Sequence, residues 1–332
     1  MAAAAPPRDF LSGHPGHLLH RANHRLLRRC LVQLALPSVP PVCAYDFDTD
    51  EAQTAALAQF REELTAAGLI PADLAAAKET VGYDRFDDTT LLRFLRARKF
   101  DLPKATLMWE ANEKWRKEFG TDEIAKNGFD YAEAAGVDKY YPQFYHKIDR
   151  EGRPVYIEQL GKLDITALYK LTTQERQLKH LVDGYEKFLS QRLPACSEQT
   201  GTLVETSCTI LDLYNAGIST FYKVKDYVSA ASTIGQNYYP ETMGHMFIIN
   251  APYLFATVWS LIKPWLDEAT QKKIHILGKN YKEELTKYIP AENLPKNLGG
   301  TCQCVGGCSL SNAGPWHVVA QAPEGDATPT TA

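Results

Sequence analysis

Hydrophobic patterning divides the chain into regimes. From residue 46 to about 129 apolar positions recur at helical spacing. In "DEAQTAALAQFREELTAAG" Leu57, Phe60 and Leu64 share a face and Gly68 ends the run. In "DDTTLLRFLRARKFD" Asp88 offers a cap, with Leu91, Phe94 and Leu95 on one side. Pro103 can open the next helix, through Leu107, Met108, Ala111 and Trp115 to Gly120. A small helical domain is expected over 46–129.

From about residue 137 the period changes. "RPVYIEQLG" reads as a strand behind the turn Asp149-Arg150-Glu151-Gly152, and a helix follows over about 173–193. "VETSCTILDL" is a second strand, followed by a helix over about 219–238. "HMFIIN" is a third and "KKIHILG" a fourth, with a short helix at 282–288 after it. Strands alternating with helices predict an α/β fold over 137–300, with right-handed crossovers and a mainly parallel sheet.

The two ends share neither period. Residues 1–45 are rich in Arg, His and Pro and are expected to be a disordered leader, with an Arg-rich targeting peptide as the alternative. The tail 301–332 contains Gly and Pro and is expected to be loose.

One stretch stands out. In "PYLFATVWSLIKPWLD" only Thr257 and Ser260 are polar between Tyr253 and Ile262, and Tyr253, Phe255, Trp259 and Trp265 are aromatic. A buried core helix accounts for the aliphatic residues. The tryptophans and Lys263-Pro264 suit a membrane interface better. A lid, with one side on an apolar cavity and the other meeting lipid on opening, satisfies both. Asn250, Pro252 and Lys263-Pro264 interrupt the run, so it is too short to span a bilayer.

Charge narrows the partners. Residues 1–45 hold five arginines against one acid, and the rest of the chain 31 basic against 39 acidic residues. An acidic body argues against nonspecific nucleic-acid binding, so any anion must meet a local basic cluster. Seven scattered cysteines, an odd number, do not form a secreted disulfide framework and point to a reducing compartment. "CQCVGGC" brings Cys302, Cys304 and Cys308 close, but the nearest following histidine is His317. Structural zinc usually takes four ligands from two spaced pairs, so an ordinary reduced tail is expected and no metal is assigned. The chain lacks G-x-G-x-x-G, the P-loop signature, G-x-S-x-G and H-E-x-x-H. With no recognisable catalytic constellation, binding is favoured over reaction.

Four further groups are candidates, each with a bland alternative. "RFLRARKF" carries Arg93, Arg96, Arg98 and Lys99, either a solvated basic face or a phosphate contact through the guanidinium fork. In "TSCTILDL" Ser207 and Thr209 point the same way, with Leu211 next in line. These hydroxyls could satisfy one another or reach a phosphate. Tyr140, Tyr141, Phe144, Tyr145 and Tyr156 form an aromatic cluster, a core or a cage for a quaternary ammonium. "KKIHILG" puts Lys273, His275 and Leu277 on one strand face.

Taken together, "LLRFLRARKFD", "EGRPVY", "RLPACS", "VETSCTILDL", "NYYPE", "FIINAP", "IKPWLD" and "PAENLPKNLGG" stand in the order and spacing of a known family. Over about residues 50–300 the chain resembles the CRAL-TRIO lipid-transfer family, nearest to its fungal phosphatidylinositol/phosphatidylcholine transfer proteins of the secretory pathway. The resemblance implies a helical N-terminal domain beside an α/β lipid pocket with a gating helix, the gate falling on Tyr253, Phe255, Trp259 and Trp265. It implies no enzyme activity and no cofactor, only one bound phospholipid. Arg98, Glu241, Thr270 and Lys273 match the family's phosphatidylinositol site, and Tyr145, Tyr156, Ser207 and Thr209 its phosphatidylcholine site. Gly300 matches a glycine that supports the fold near the gate. "DLYNAG" departs from relatives that usually carry Lys or Glu after Asp-Leu, which bears on the loop that follows. The implied setting is cytoplasmic and peripheral on Golgi or endosomal membranes, with phosphoinositide kinases as candidate partners. A binder of another hydrophobe (sterol, tocopherol, retinoid) and a lipid hydrolase are the alternatives.

Overall fold

Aspartates start most of the early helices. A computed structural model describes residues 49–253, 255–266 and 268–317, without the side chains at 218–221, 261, 262, 265 and 269. The expected leader up to residue 45 and the tail beyond 317 lie outside the described residues. α1 (Glu51–Ala66) begins at Asp50, whose carboxylate accepts from the Gln53 amide at 2.8 Å, and it buries Leu57, Phe60 and Leu64. α2 (Leu74–Val81) follows. α3 (Asp88–Ala97) is capped by Asp87, one residue before the expected Asp88. The Asp87 carboxylate accepts from the Thr90 amide at 2.7 Å, which leaves Asp88 to pair with Arg61 at 2.6 Å.

α4 (Leu102–Phe119) carries Pro103 in its first turn and stops at Gly120, whose φ of 78° suits a residue without a Cβ. Of the apolar positions expected along it, Met108 is buried and Trp115 half-buried, but Leu107 is 65% exposed, whereas Trp109, not singled out, is fully buried. Aromatic packing decides the rotation, because Trp109 meets Phe60, Phe86 and Phe94 with ring centroids 4.9–6.5 Å apart. α5 (Thr121–Asn127) and α6 (Ala134–Asp138) lead to the sheet.

The strands are β1 (Gln143–Ile148), β2 (Pro154–Glu158), β3 (Ser207–Asp212), β4 (Met243–Ile249) and β5 (Ile274–Ile276). β1, which the sequence showed only as an aromatic cluster, is an antiparallel edge strand on β2 with an irregular register between Tyr145 and Ile148. The others pair in parallel in the order β1-β2-β3-β4-β5. Between β2 and β3 run α7 (Ile165–Leu168), α8 (Gln174–Lys187) and α9 (Leu193–Thr200). α10 (Ile218–Tyr238) joins β3 to β4, α11 (Phe255–Ile262) and α12 (Glu268–Lys272) join β4 to β5, and α13 (Lys282–Tyr288) follows β5. The helix expected over 173–193 widens to a π turn at Phe188–Arg192 before α9.

Neighbouring parallel strands in sequence order need right-handed crossovers on one face of the sheet. The crossover helices and α13 accordingly separate into two layers. On the α13 side Ile157, Ile210 and Phe247 are fully buried against Leu285, Ile289 and Leu294. On the crossover side Leu211, Met246 and Ile248 belong to a cluster with Val224 and Tyr227 of α10.

A buried ion pair fastens α4 to α8. Arg116 donates to both Glu186 carboxylate oxygens at 2.9 and 3.2 Å, while Tyr83 and Tyr239 donate to them at 2.9 and 2.6 Å. With every lone-pair direction engaged, the low-dielectric setting strengthens the network. Breaking such a pair costs about 3–5 kcal/mol. Residues 301–317, expected to be loose, pack against β1. The Lys147 amide donates to the Ala313 carbonyl at 2.6 Å, and Trp316 meets Tyr145 edge-on at 6.4 Å.

Candidate functional site

Two rungs of the ladder run across the sheet and face the crossover helices. The first pairs Tyr145 with Tyr156, Thr209, Met246 and Ile274 in turn. The second pairs Gln143 with Glu158, Leu211 and Ile248. Strand alternation puts both rungs on one face, two residues apart. Together they floor a cavity of about 1510 Å³. Pockets for drug-sized ligands hold about 300–1,000 Å³, so this hollow suits something larger.

The π turn supplies part of the wall. Phe188 stacks on Tyr145 with centroids 5.9 Å apart, and the Arg192 guanidinium sits 4.2 Å over the same ring. α10 contributes Tyr227, Val228 and Ala231, and α11 contributes Phe255, Val258 and Trp259.

Tyr145, Tyr156, Ser207 and Thr209 therefore meet at one place. The two tyrosine rings lie 5.0 Å apart and the two hydroxyls 3.5 Å apart. Ser207 also donates to the Thr242 carbonyl at 3.3 Å. Burial pushes both tyrosine phenols well up from their ordinary value, so they stay neutral donors.

The other set lines the same cavity. α3 ends at Ala97, and Arg98 bends the chain with Lys99 and Phe100 at φ 51° and 60°. Arg98 donates to the Ala97 carbonyl at 3.0 Å and has no carboxylate partner among the described residues. The Lys273 ammonium stands 3.6 Å from the Glu241 carboxylate, with both side chains about one-third exposed. Thr270 lines the cavity from α12, and its carbonyl accepts from the Lys273 amide at 3.1 Å. Lys273 does not share a strand face with His275 as the sequence suggested. β5 starts only at Ile274, so the lysine turns to the cavity while His275 stacks on Phe247 at 4.7 Å behind the sheet.

The aromatic stretch is apolar on one side. Phe255, Val258 and Trp259 line the cavity, whereas Ala256, Thr257 and Ser260 are exposed. Tyr253 is 97% exposed and outside the cavity lining, and the Trp265 side chain lies outside the described residues. No helix among the described residues is long and apolar enough to cross a membrane.

Sequence reasoning missed three features. Glu158 lies on the cavity floor, two residues after Tyr156 on the same face, so period two could have found it. Burial pushes its carboxyl up, against a hydrogen bond received from Tyr141. Arg192 opens the quoted "RLPACS", but nothing in that motif marks its contact with Tyr145, which is distant in sequence. Thirdly, His146 joins Cys302, Cys304 and Cys308 behind the cavity wall. As for Gly300, an added Cβ would lie 2.0 Å from the Leu294 carbonyl oxygen, and its nearest atoms belong to Leu294 and Ala291 rather than to α11. The loop after "DLYNAG" is anchored by Asp212, which accepts from the Tyr214 amide at 2.9 Å and from Asn250 at 2.8 Å.

The sheet carries on one face a large hollow of mixed lining, with apolar side chains from β4, α10 and α11 and the two polar sets among its walls. The CRAL/TRIO domain pattern matches residues 138–300, and that of the CRAL/TRIO N-terminal domain residues 56–111. The chain belongs to the CRAL/TRIO family. It is 58% identical over 240 residues to the Sec14 cytosolic factor of Schizosaccharomyces pombe, covering 72% of this chain and 84% of that protein. It is 44% identical over 272 residues to the phosphatidylinositol/phosphatidylcholine transfer protein SFH9 of Arabidopsis thaliana, covering 81% of this chain and 45% of that one. Among solved structures, Sfh5 matches with a TM-score of 0.61 at 19% identity over 82% of this chain and 94% of that chain, a likeness of fold.

Proposed function

We infer that the chain is a phospholipid transfer protein. It holds one phosphatidylinositol or phosphatidylcholine molecule at a time and exchanges it between membranes, in support of phosphoinositide synthesis and Golgi secretory function. The observation that carries this reading is that one large hollow collects both polar sets, the tyrosine–hydroxyl cluster and the Arg98–Glu241–Thr270–Lys273 set. The similarity to a relative named for phosphatidylinositol/phosphatidylcholine transfer supports it. The exchange, not a covalent change, is the activity, and the phospholipid is a ligand rather than a cofactor.

The physical need is plain. Two acyl chains of roughly sixteen carbons carry on the order of 25 kcal/mol of avoided water exposure. An apolar hollow offsets that cost during transit, and α11 serves as the gate that opens at a bilayer. Arg98 and Lys273 meet the inositol phosphate, and Glu241 pairs a cation or an inositol hydroxyl. Ser207 and Thr209 donate to the phosphate of the choline lipid, whose ammonium shares or displaces the Arg192 guanidinium at Tyr145. The working place is cytosolic, with transient contact at Golgi or endosomal surfaces, and phosphoinositide kinases are the candidate protein partners.

Mass spectrometry of lipid extracted from the purified chain tests the ligand, and recovery of neutral isoprenoids alone would overturn the reading. In vesicle assays Lys273→Ala is expected to lose phosphatidylinositol transfer and largely keep phosphatidylcholine transfer. Ser207→Ile with Thr209→Ile is expected to do the reverse. Equal loss of both lipids in each variant would refute the head-group assignment, and release of free fatty acid from labelled lipid would favour a hydrolase.

A further inference from the structure

We propose that His146, Cys302, Cys304 and Cys308 form a structural zinc(II) site that fixes the segment after Gly300 to the edge strand of the sheet. It goes beyond the lipid reading and does not depend on what the cavity holds.

The donor atoms of these four side chains all lie within 4.8 Å of one another. Two sulfurs, each about 2.3 Å from a tetrahedral zinc, stand about 3.8 Å apart, and a sulfur and an imidazole nitrogen about 3.6 Å apart. The Cys302 and Cys304 sulfurs are 3.7 Å apart, and His146 Nε2 is 3.4 Å from the Cys302 sulfur. Two of the six edges of a Cys3His tetrahedron are thus nearly in place and the other four span at most 4.8 Å, whereas a disulfide needs sulfurs about 2.05 Å apart.

The backbone is shaped for the purpose. Between Cys304 and Cys308, Gly306 and Gly307 hold φ of 77° and 99°, a turn that other residues adopt only with strain. The Gly307 amide donates to the Cys304 carbonyl at 3.0 Å, which swings Cys308 back toward its partners. Cys302 is held by bonds in both directions. Its amide donates to the Leu294 carbonyl at 3.1 Å, and its carbonyl accepts from the Lys296 amide at 3.0 Å.

A metal-bound imidazole usually gives its second ring nitrogen a hydrogen-bond partner, which fixes ring and tautomer. His146 is fully buried, and its Nδ1 lies 3.4 Å from Ser311 Oγ, which itself donates to the Cys308 carbonyl at 2.9 Å. One nitrogen therefore faces the sulfurs and the other the hydroxyl. Soft thiolates with one imidazole in a tetrahedral, closed arrangement select zinc. As each sulfur–zinc bond forms, the thiol's proton passes to solvent.

The consequence is local. Ser309, Leu310 and Asn312 line the cavity, and Trp316 packs on Tyr145. Zinc would hold this strip of wall against β1, adding to the contact that Trp316 makes there.

The test uses the full-length chain, expressed with zinc supplied and desalted. Elemental analysis is expected to find about one zinc per chain, and less than about a tenth of an equivalent overturns the site. The same protein loaded with cobalt(II) is expected to show thiolate-to-cobalt absorption and intense tetrahedral d–d bands. A spectrum without them overturns the proposal and needs no variant that has to fold. Cys304→Ser is expected to lose the metal, while Cys196→Ala, at a buried thiol outside the cluster, keeps it. Full retention by Cys304→Ser overturns the assignment. Ser311→Ala is expected to lose zinc to a competing chelator about 10–100-fold more readily. A disulfide joining two of the three cysteines in the freshly purified chain, found by peptide mapping, would also sink the idea.

Discussion

The two faces of the sheet are made by the same strands and end differently. Behind it, the rung Phe144–Ile157–Ile210–Phe247–His275 meets α13 and the loop that follows, and Ile157, Ile210 and Phe247 retain no exposure. In front, the neighbouring rung from Tyr145 to Ile274 borders a hollow of about 1510 Å³. One face is closed by the chain's own apolar side chains. The other is spanned by crossover helices that stand off from the strands and are fastened at polar points. Glu186 with Arg116 is one clamp, and Glu133 with Arg176, at 2.6 Å between α8 and the segment entering α6, is another. A solid face gives stability, and a hollow face gives some of it up for the room that the proposed lipid would fill.

Truncation on each face is the sharpest way to break this comparison. Phe247→Ala opens a cavity where none exists and is expected to cost about 3–5 kcal/mol in denaturant unfolding. Met246→Ala, one residue along and facing the hollow, is expected to cost about 1 kcal/mol. Equal losses would mean that the two faces are packed alike.

Filling the hollow should have the opposite sign. A ligand that binds only the folded chain adds about 2.7 kcal/mol at a hundred times its dissociation constant. Delipidated protein given phosphatidylinositol vesicles is expected to unfold at higher denaturant, and the gain should persist in Met246→Ala more than in Trp259→Ala. No shift in the wild-type midpoint would separate the hollow from any lipid role.

The smallest effect concerns the clamps. The Arg176 guanidinium beside Glu133 holds its carboxyl at about 2, down from an ordinary 4.5. Because the folded value is the lower one, the clamp's stabilisation is present above pH 4.5 and fades as pH falls toward 2. Glu133→Gln is expected to flatten that part of the acid limb, read as the unfolding midpoint against pH. An unchanged limb would show that the pair contributes nothing to holding the front of the molecule.

The sequence revealed local order well wherever one period held over many residues. The strands carrying "VETSCTILDL" and "HMFIIN", α10 and α13 fall where their patterns predicted. β1 was not legible, since Gln143–Ile148 mixes aromatic and charged residues and its irregular register at Lys147, with φ of 53°, blurs the alternation. Along α4 Met108 is buried as expected but Leu107 is not, because Leu107 and Trp109 are equally good apolar candidates and only the three facing phenylalanines choose between them.

By itself, then, the sequence determined the helices and strands whose period runs over many residues, that Ser207, Thr209 and Leu211 share one face, and that the chain carries the marks of its family. These are matters of period and of neighbours within a few residues. The tertiary structure alone decided that one face of the sheet stays hollow, that Arg192 comes to rest on Tyr145, and that His146 meets Cys302 across 156 positions. Contacts of that kind depend on how strands stack and where helices are held away from them, and no local pattern records the space left between.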